Sequence, residues 1–229
     1  MKKIAFKTLG CRLNLYETDA IAAEFSKGSY KVVDFNSDAD IFVINTCTVT
    51  NQSDQRSRRV INQAQKLNHN ALTIVTGCMA TNYKEKLKAD EKVDYVVDNE
   101  HKTSVLSVVD AHYRGETVNP DQFEKDVFNY APAAETFHTR SFIKIQDGCD
   151  NFCTFCIVPK VRGRAISRPA NDIFENIKQV VAYGYKEIVL TGVNLGRYQH
   201  ENYDFEKLVE AILEIPGDFR VRISSIEPD

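Results

Sequence analysis

Short apolar runs rich in β-branched residues alternate with segments of helical period along almost the whole chain, and three of these runs end in a cysteine. They read "IAFKTLGC", "IFVINTC" and "TIVTGC", closing at Cys11, Cys47 and Cys78. Such alternation is the signature of βαβ units and a mainly parallel sheet, so the fold class is α/β. All strands of a parallel sheet point the same way, and residues just past their carboxyl ends collect along one edge, where open α/β folds hold ligands. Three cysteines in that one slot are expected to converge, with Gly10 and Gly77 allowing close backbone approach. Each alone reads equally as a buried strand-end residue.

The spacing predicts strands over 3–9, 41–45, 72–76 and 95–97, with a weaker one at 31–34. A helix is expected over 14–25 behind an Asn14/Glu17 capping pair, and another over 53–67 with Val60, Ala64 and Leu67 on its apolar face. The rhythm fades from 116 to 139, where Pro120 and Pro132 stand among small and charged residues, as in an interdomain connection. It then resumes with strands at 140–146, 187–193 and 220–226 and a helix at 172–183. A further helix carries Phe205, Leu208, Val209, Ile212 and Leu213 behind an Asp204 cap. The chain thus divides into 1–115, a linker at 116–139, and a second βα series at 140–229.

Within that second series, "DGCDNFCTFCIVP" packs Cys149, Cys153 and Cys156 into eight residues. Cys153 and Cys156 alone read as a dithiol pair or half a zinc knuckle, but neither explains Cys149. No run approaches a membrane span, and the N-terminus has no signal-peptide core, so a cytoplasmic protein away from membranes is expected. In that setting metal ligation is favoured over disulfides for six dilute cysteines in 229 residues. Structural zinc wants four closed ligands, whereas each trio offers three and the five histidines are scattered singly. A cubane iron–sulfur cluster tolerates three thiolates and leaves one iron open. The net charge of −3 supplies no overall positive field. A nucleic-acid partner would be held by local runs such as Arg56, Arg58 and Arg59, or Lys160, Arg162, Arg164 and Arg168, which read equally as solvated faces.

The C-x3-C-x2-C spacing, with Phe155 before its last cysteine and following a βα strand, resembles the radical S-adenosylmethionine enzymes. Together with "TLGCRLN", "NTCTVT", "LTGVNLGRY" and "SSIEP", the chain is similar to the methylthiotransferases. Among these, "TLGCRLNLYET" and "NTCTVT" are most similar to the branch acting on N6-threonylcarbamoyladenosine (t6A) in tRNA. The resemblance implies a three-layer parallel-sheet domain followed by part of a radical S-adenosylmethionine βα barrel. Family members continue past "SSIEP" into a small RNA-binding domain, so the chain reads as C-terminally incomplete.

The resemblance further implies two [4Fe-4S] clusters. Cys149, Cys153 and Cys156 would hold the one that chelates S-adenosylmethionine, and Cys11, Cys47 and Cys78 the auxiliary one that carries the sulfur. Phe155 would flank the adenine, and Thr191, Gly192, Asn194, Ser224, Glu227 and Arg162 would contact the cofactor. The implied partners are tRNA, a flavodoxin- or ferredoxin-like electron donor and a sulfur source. The alternatives are isopentenyladenosine or a ribosomal protein as substrate, or a noncatalytic metal-binding RNA-interaction module.

Overall fold

The computed structural model describes residues 1–130, 138–224 and 226. By internal packing the chain divides into two units, Met1–Tyr130 and Ala131–Asp229. The first holds β1 (Lys2–Thr8), α1 (Arg12–Lys27), β2 (Tyr30–Val33), β3 (Ile41–Thr46), α2 (Asn51–Leu67), β4 (Leu72–Gly77), α3 (Cys78–Asn82), α4 (Lys84–Lys88), β5 (Tyr95–Val97) and α5 (Val105–Tyr113). Its five strands form one parallel sheet in the order β2-β1-β3-β4-β5.

Both faces of this sheet are covered, which is why β3 and β4 are buried along their whole length. By the two-residue period of a strand, Ala5, Phe42, Ile44 and Val75 share one face, where they join Val60, Ile61 and Ala64 of α2 in a single apolar core. The opposite face buries Ile4, Val43 and Ile74, and there Phe6 meets Phe25 of α1 edge to face at 5.7 Å.

The expected cap at Asn14 is not formed. Helix α1 begins at Arg12, with Cys11 at its N-cap and no side-chain cap. Asn14 is fully buried instead, and its amide donates to Leu9 O (2.8 Å) and Thr46 O (3.0 Å), carbonyls at the ends of neighbouring strands. Glu17, the other half of the expected pair, forms a buried ion pair with Lys102. The segment 116–130, expected as part of the connection, packs with the first unit. Asp121 pairs with Lys84, which also reaches Asp98 (2.7 Å), and Tyr130 meets Tyr16 edge to face at 5.5 Å.

The second unit contains β6 (Ser141–Lys144), β7 (Gln146–Asp147), α6 (Val158–Arg162), β8 (Ile166–Ser167), α7 (Ala170–Ala182), β9 (Glu187–Thr191), β10 (Gln199–His200), β11 (Tyr203–Asp204), α8 (Phe205–Leu213) and β12 (Arg220–Ile223). Strands β12-β9-β6 form a parallel sheet, and β7 pairs antiparallel with β8. The inner positions Ile143, Ile188 and Leu190 pack with Ile173 and Ile177 of α7 and Leu208 and Ile212 of α8. Asp204 caps α8 by accepting from Lys207 N at 2.9 Å.

Candidate metal centres

The first trio stands at the carboxyl edge of the five-stranded sheet. Thr46 of β3 is in register with Gly77 of β4, so Cys47 and Cys78 leave their strands at the same level. Leu9 N donates to Asn45 O (2.8 Å), which keeps the extension of β1 beside β3. Gly10 then turns with φ +96°, and a Cβ placed there would lie 2.7 Å from Cys47 Cβ and 2.9 Å from its Sγ. Only glycine brings the chain that carries Cys11 this close to Cys47. Gly77, at φ +95°, has the same role between the other two strands, since a Cβ there would lie 2.5 Å from Asn45 Oδ1.

A polar network fixes this edge. Asn45 donates to Asn14 O and Thr18 Oγ1 (both 3.0 Å), Thr46 Oγ1 donates to Thr76 O (2.5 Å), and Ser57 Oγ donates to Cys47 O (3.0 Å). Beneath it Lys102, fully buried, reaches Asn45 Oδ1 (3.3 Å) as well as Glu17. Cys47 and Cys78 are buried and Cys11 is exposed, and none of the three is in a disulfide. Asn99, which sequence reasoning did not single out, places its amide nitrogen 3.6 Å from Cys78 Sγ, within reach of donating to it.

The second trio is held by a loop between β7 and α6. Gly148 (φ +69°) lies against the backbone of Gly163 and Arg164 so closely that any Cβ would overlap the Arg164 carbonyl. Cys149 N donates to Gly163 O (3.2 Å) and Cys156 N to Cys153 O (2.9 Å). Cys149 is half-buried and Cys153 and Cys156 are exposed. Phe152 takes a left-handed φ of 45°, uncommon for an aromatic residue, with the Arg164 guanidinium 4.6 Å over its ring. Phe155 is 91% exposed.

The base of the loop is a buried charge cluster. Arg162 Nη1 donates to both Asp147 oxygens (3.0 and 2.9 Å), and Lys144 Nζ lies 2.6 Å from Asp147 Oδ2. Two members of the basic run are thus internal. Arg162 is bound to Asp147, and Arg168, also buried, donates to Asn176 Oδ1 (2.8 Å). A row of cations in the sequence hides this, because Arg162 at the end of α6 is drawn in by Asp147, while Arg168, tied by its N–H to Ile145 O (2.9 Å), turns its side chain in to Asn176 of α7. Lys160 and Arg164 remain at the surface, as do Arg56, Arg58 and Arg59 on α2.

Beside Cys149 a cavity of about 520 Å³ is lined by Gln146, Asn151, Ser167, Asn194 and Arg197 among others. Gln146 organises it. Its Oε1 accepts from Val193 N (2.8 Å) and Asn194 N (3.0 Å), and its Nε2 donates to Asp147 O (2.9 Å) and Gly148 O (2.7 Å). One side chain therefore ties the loop after β9 to the cysteine loop. Its only sequence signal is a polar residue inside the run "SFIKIQDG". Gly192 packs on Gln146, with room for a Cβ only 3.0 Å from Oε1 and 2.6 Å from Leu195 Cδ2. Thr191 is buried, and Ser224 Oγ lies 3.5 Å from its hydroxyl. Glu227 lies outside the described residues.

Two observations bear on what these sites can hold. Among the described residues, the one group of three or more ligating side chains whose donor atoms all lie within 4.8 Å of one another is Asp98, His101 and Asp121, where the Lys84 ammonium already supplies the positive charge. Neither cysteine trio closes to the dimension of a single ion, and the donor set fits a polynuclear iron–sulfur cluster, which spreads its thiolates over several irons. The second observation concerns Asn194. Its Oδ1 is buried at the cavity wall without a hydrogen-bond partner among the described residues, an acceptor fit for an amino or hydroxyl group of a bound cofactor.

Residues 3–98 match the family described as Uncharacterized protein family UPF0004, and residues 143–229 match the Radical SAM superfamily. Over 99% of its length the chain is 42% identical to the threonylcarbamoyladenosine tRNA methylthiotransferase MtaB of Bacillus subtilis (strain 168), covering 52% of that protein. It is 30% identical to the tRNA-2-methylthio-N(6)-dimethylallyladenosine synthase of Bacteroides thetaiotaomicron, over 99% of this chain and 52% of the relative. Among solved structures, the radical S-adenosylmethionine methyltransferase TsrM of Kitasatospora setae matches with a TM-score of 0.60 at 13% identity, over 92% of this chain and 51% of that one. The chain spans about half the length of the curated relatives it matches. No helix among the described residues is long and apolar enough to cross a membrane.

Proposed function

The chain belongs to the radical S-adenosylmethionine methylthiotransferases, and on that premise we propose that its protein transfers a methylthio group to C2 of N6-threonylcarbamoyladenosine in tRNA, near the anticodon. The observation that carries this is the pair of cysteine trios, one at a parallel-sheet edge and one in a loop beside a cofactor-sized cavity. Cys149, Cys153 and Cys156 hold one [4Fe-4S] cluster, and Cys11, Cys47 and Cys78 hold the second. When bound, the clusters and S-adenosylmethionine supply the electron, the carbon radical and the sulfur that the reaction needs.

The chain's own residues orient and shield. Asn194 Oδ1 accepts a hydrogen bond from the amino or ribose group of S-adenosylmethionine, and Thr191 and Ser224 stand along the same strand ends. Gln146 keeps that wall in register with Cys149, so cofactor and cluster are positioned by one side chain. Arg162 acts one layer below, fixing the loop through Asp147. A flavodoxin- or ferredoxin-like protein donates the electrons and a separate source renews the sulfur. Anionic RNA meets the exposed Arg58 and Arg59 on α2. The target base comes from an unpaired loop, where its edges are open to the protein.

The test is mass spectrometry of nucleosides from tRNA incubated with full-length reconstituted protein, S-adenosylmethionine and a reductant. A methylthio group on threonylcarbamoyladenosine is expected. A methylthio group found only on isopentenyladenosine or on a ribosomal protein would overturn the substrate assignment.

A further inference from the structure

The two relatives described above differ in what their adenosine carries on N6: a threonylcarbamoyl group in one and a dimethylallyl group in the other. The first ends in a carboxylate, whereas the second is wholly apolar. Of the sheet-edge cysteines, Cys47 lines a cavity of about 180 Å³ whose other walls are Leu9, Gly10, Gln52, Ser53 and Arg56. Apart from Leu9 and Cys47, every side chain on that wall is polar.

Gln52, Ser53 and Arg56 are spaced i, i+1 and i+4, so they share one face of α2 above Cys47. The helix is held in that orientation by Val60, one turn further on and buried in the core, and by the Ser57 hydrogen bond to the Cys47 carbonyl. Arg56 is exposed, and no ion pair or hydrogen bond engages its guanidinium among the described residues. The guanidinium groups of Arg58, Arg59 and Arg220 are likewise unengaged among the described residues, and Arg56 differs from them in lining this cavity. A free guanidinium on the wall of a cavity that also holds Cys47 is a carboxylate receptor without its carboxylate.

We propose that Arg56, flanked by Gln52 and Ser53, binds the threonine carboxylate of the N6 substituent and thereby selects threonylcarbamoyladenosine over adenosines with an apolar N6 group. This rests on the substrate assignment made above. On the purine ring C2 and C6 flank N1, so a base whose C2 faces the Cys47 wall carries its N6 substituent along the same wall. A dimethylallyl group placed there would strip water from Arg56 and return no partner. That penalty discriminates more sharply than a missing apolar contact does.

The experiment measures binding of an anticodon stem-loop RNA to the full-length protein, with the RNA carrying threonylcarbamoyladenosine either as the free acid or as its uncharged methyl ester. The wild type is expected to bind the acid about tenfold to a hundredfold more tightly than the ester, as one charge-assisted pair provides. Arg56→Gln should bring that ratio to about one with little change for the ester, and Arg56→Lys should restore part of it. If Arg56→Gln weakens both RNAs equally, the side chain reads phosphate and the proposal is overturned. It is equally overturned if the wild type does not distinguish acid from ester. A wild type that methylthiolates threonylcarbamoyladenosine yet fails the ester comparison loses this inference alone. A wild type that never modifies that nucleoside loses the substrate assignment as well.

Discussion

The two cysteine trios are built in opposite ways. At the sheet edge, Cys47 and Cys78 are 7% and 4% exposed, and each leaves a strand already locked by parallel pairing, two glycine turns and a web of Asn and Thr hydrogen bonds. In the loop, Cys153 and Cys156 face solvent, and few backbone bonds hold the span between Gly148 and Val158. What they share lies underneath, a buried ion pair: Glu17 with Lys102 in one case, Asp147 with Lys144 and Arg162 in the other. The contrast teaches that a site on strand ends is organised by the fold itself, whereas a site on a loop depends on what anchors the loop's base.

The sharpest way to break this comparison is to remove the buried acids. Withdrawing one partner of a buried pair costs about 3–5 kcal/mol. Glu17→Leu removes a carboxylate from beside Lys102, and Asp147→Leu removes one shared by Lys144 and Arg162, so chemical denaturation should show both variants strongly destabilised, with Asp147→Leu the worse. Equal and small losses would show that neither site stands on its ion pair.

Next in size is Gly77→Ala. A side chain at φ +95° costs about 1–3 kcal/mol in backbone strain, and crowding against Asn45 and Thr46 adds to it. Urea melts should register this together with loss of metal from the first trio only. Metal lost from the loop trio instead would contradict the separation of the two sites.

The third effect is a pH dependence in the first unit. Burial opposes ionisation of Asp98, but hydrogen bonds from Lys84 and His101 outweigh it and hold its carboxyl below the usual 3.8. Asp121 is lowered as well, where the Lys84 hydrogen bond overcomes desolvation. A lowered folded-state value stabilises fully above the unfolded one, and that contribution disappears as the pH falls from about 4 downward. Stability measured between neutral and pH 2 should therefore drop over that window, and Asp98→Asn should flatten the drop. The smallest effect is expected of Arg164→Ala, since its pair with Asp150 is 74% and 49% exposed and worth about 0–1 kcal/mol. A thermal melt shifted by much more would mean that the loop leans on this surface pair.

Much of the architecture was legible because β-branched runs and helical stripes state their periods outright. All five strands of the first sheet fall within a residue or so of where the alternation puts them, and the strand-end slot of Cys11, Cys47 and Cys78 follows from topology alone. What stayed hidden was tertiary use of polar residues. Asn14 and Glu17 have the spacing of a helix cap, yet the strand-end carbonyls and Lys102 claim them. Arg162 and Arg168 look like surface charges until Asp147 and Asn176 engage them in the interior. Gln146 carries no motif, because its importance lies in four hydrogen bonds to segments far apart in sequence or invisible to any periodicity. Helix α5 goes unannounced too, since "VLSVVDAHY" has apolar residues on more than one face.

The central claim is that each trio holds its own cluster, and iron and sulfide counts after anaerobic reconstitution test it most directly. Two [4Fe-4S] clusters give about eight of each per chain. Replacing Cys11, Cys47 and Cys78 together by alanine should leave about four, and so should replacing Cys149, Cys153 and Cys156. Either triple variant losing all its iron while still folded, or iron bound without sulfide, would contradict the account.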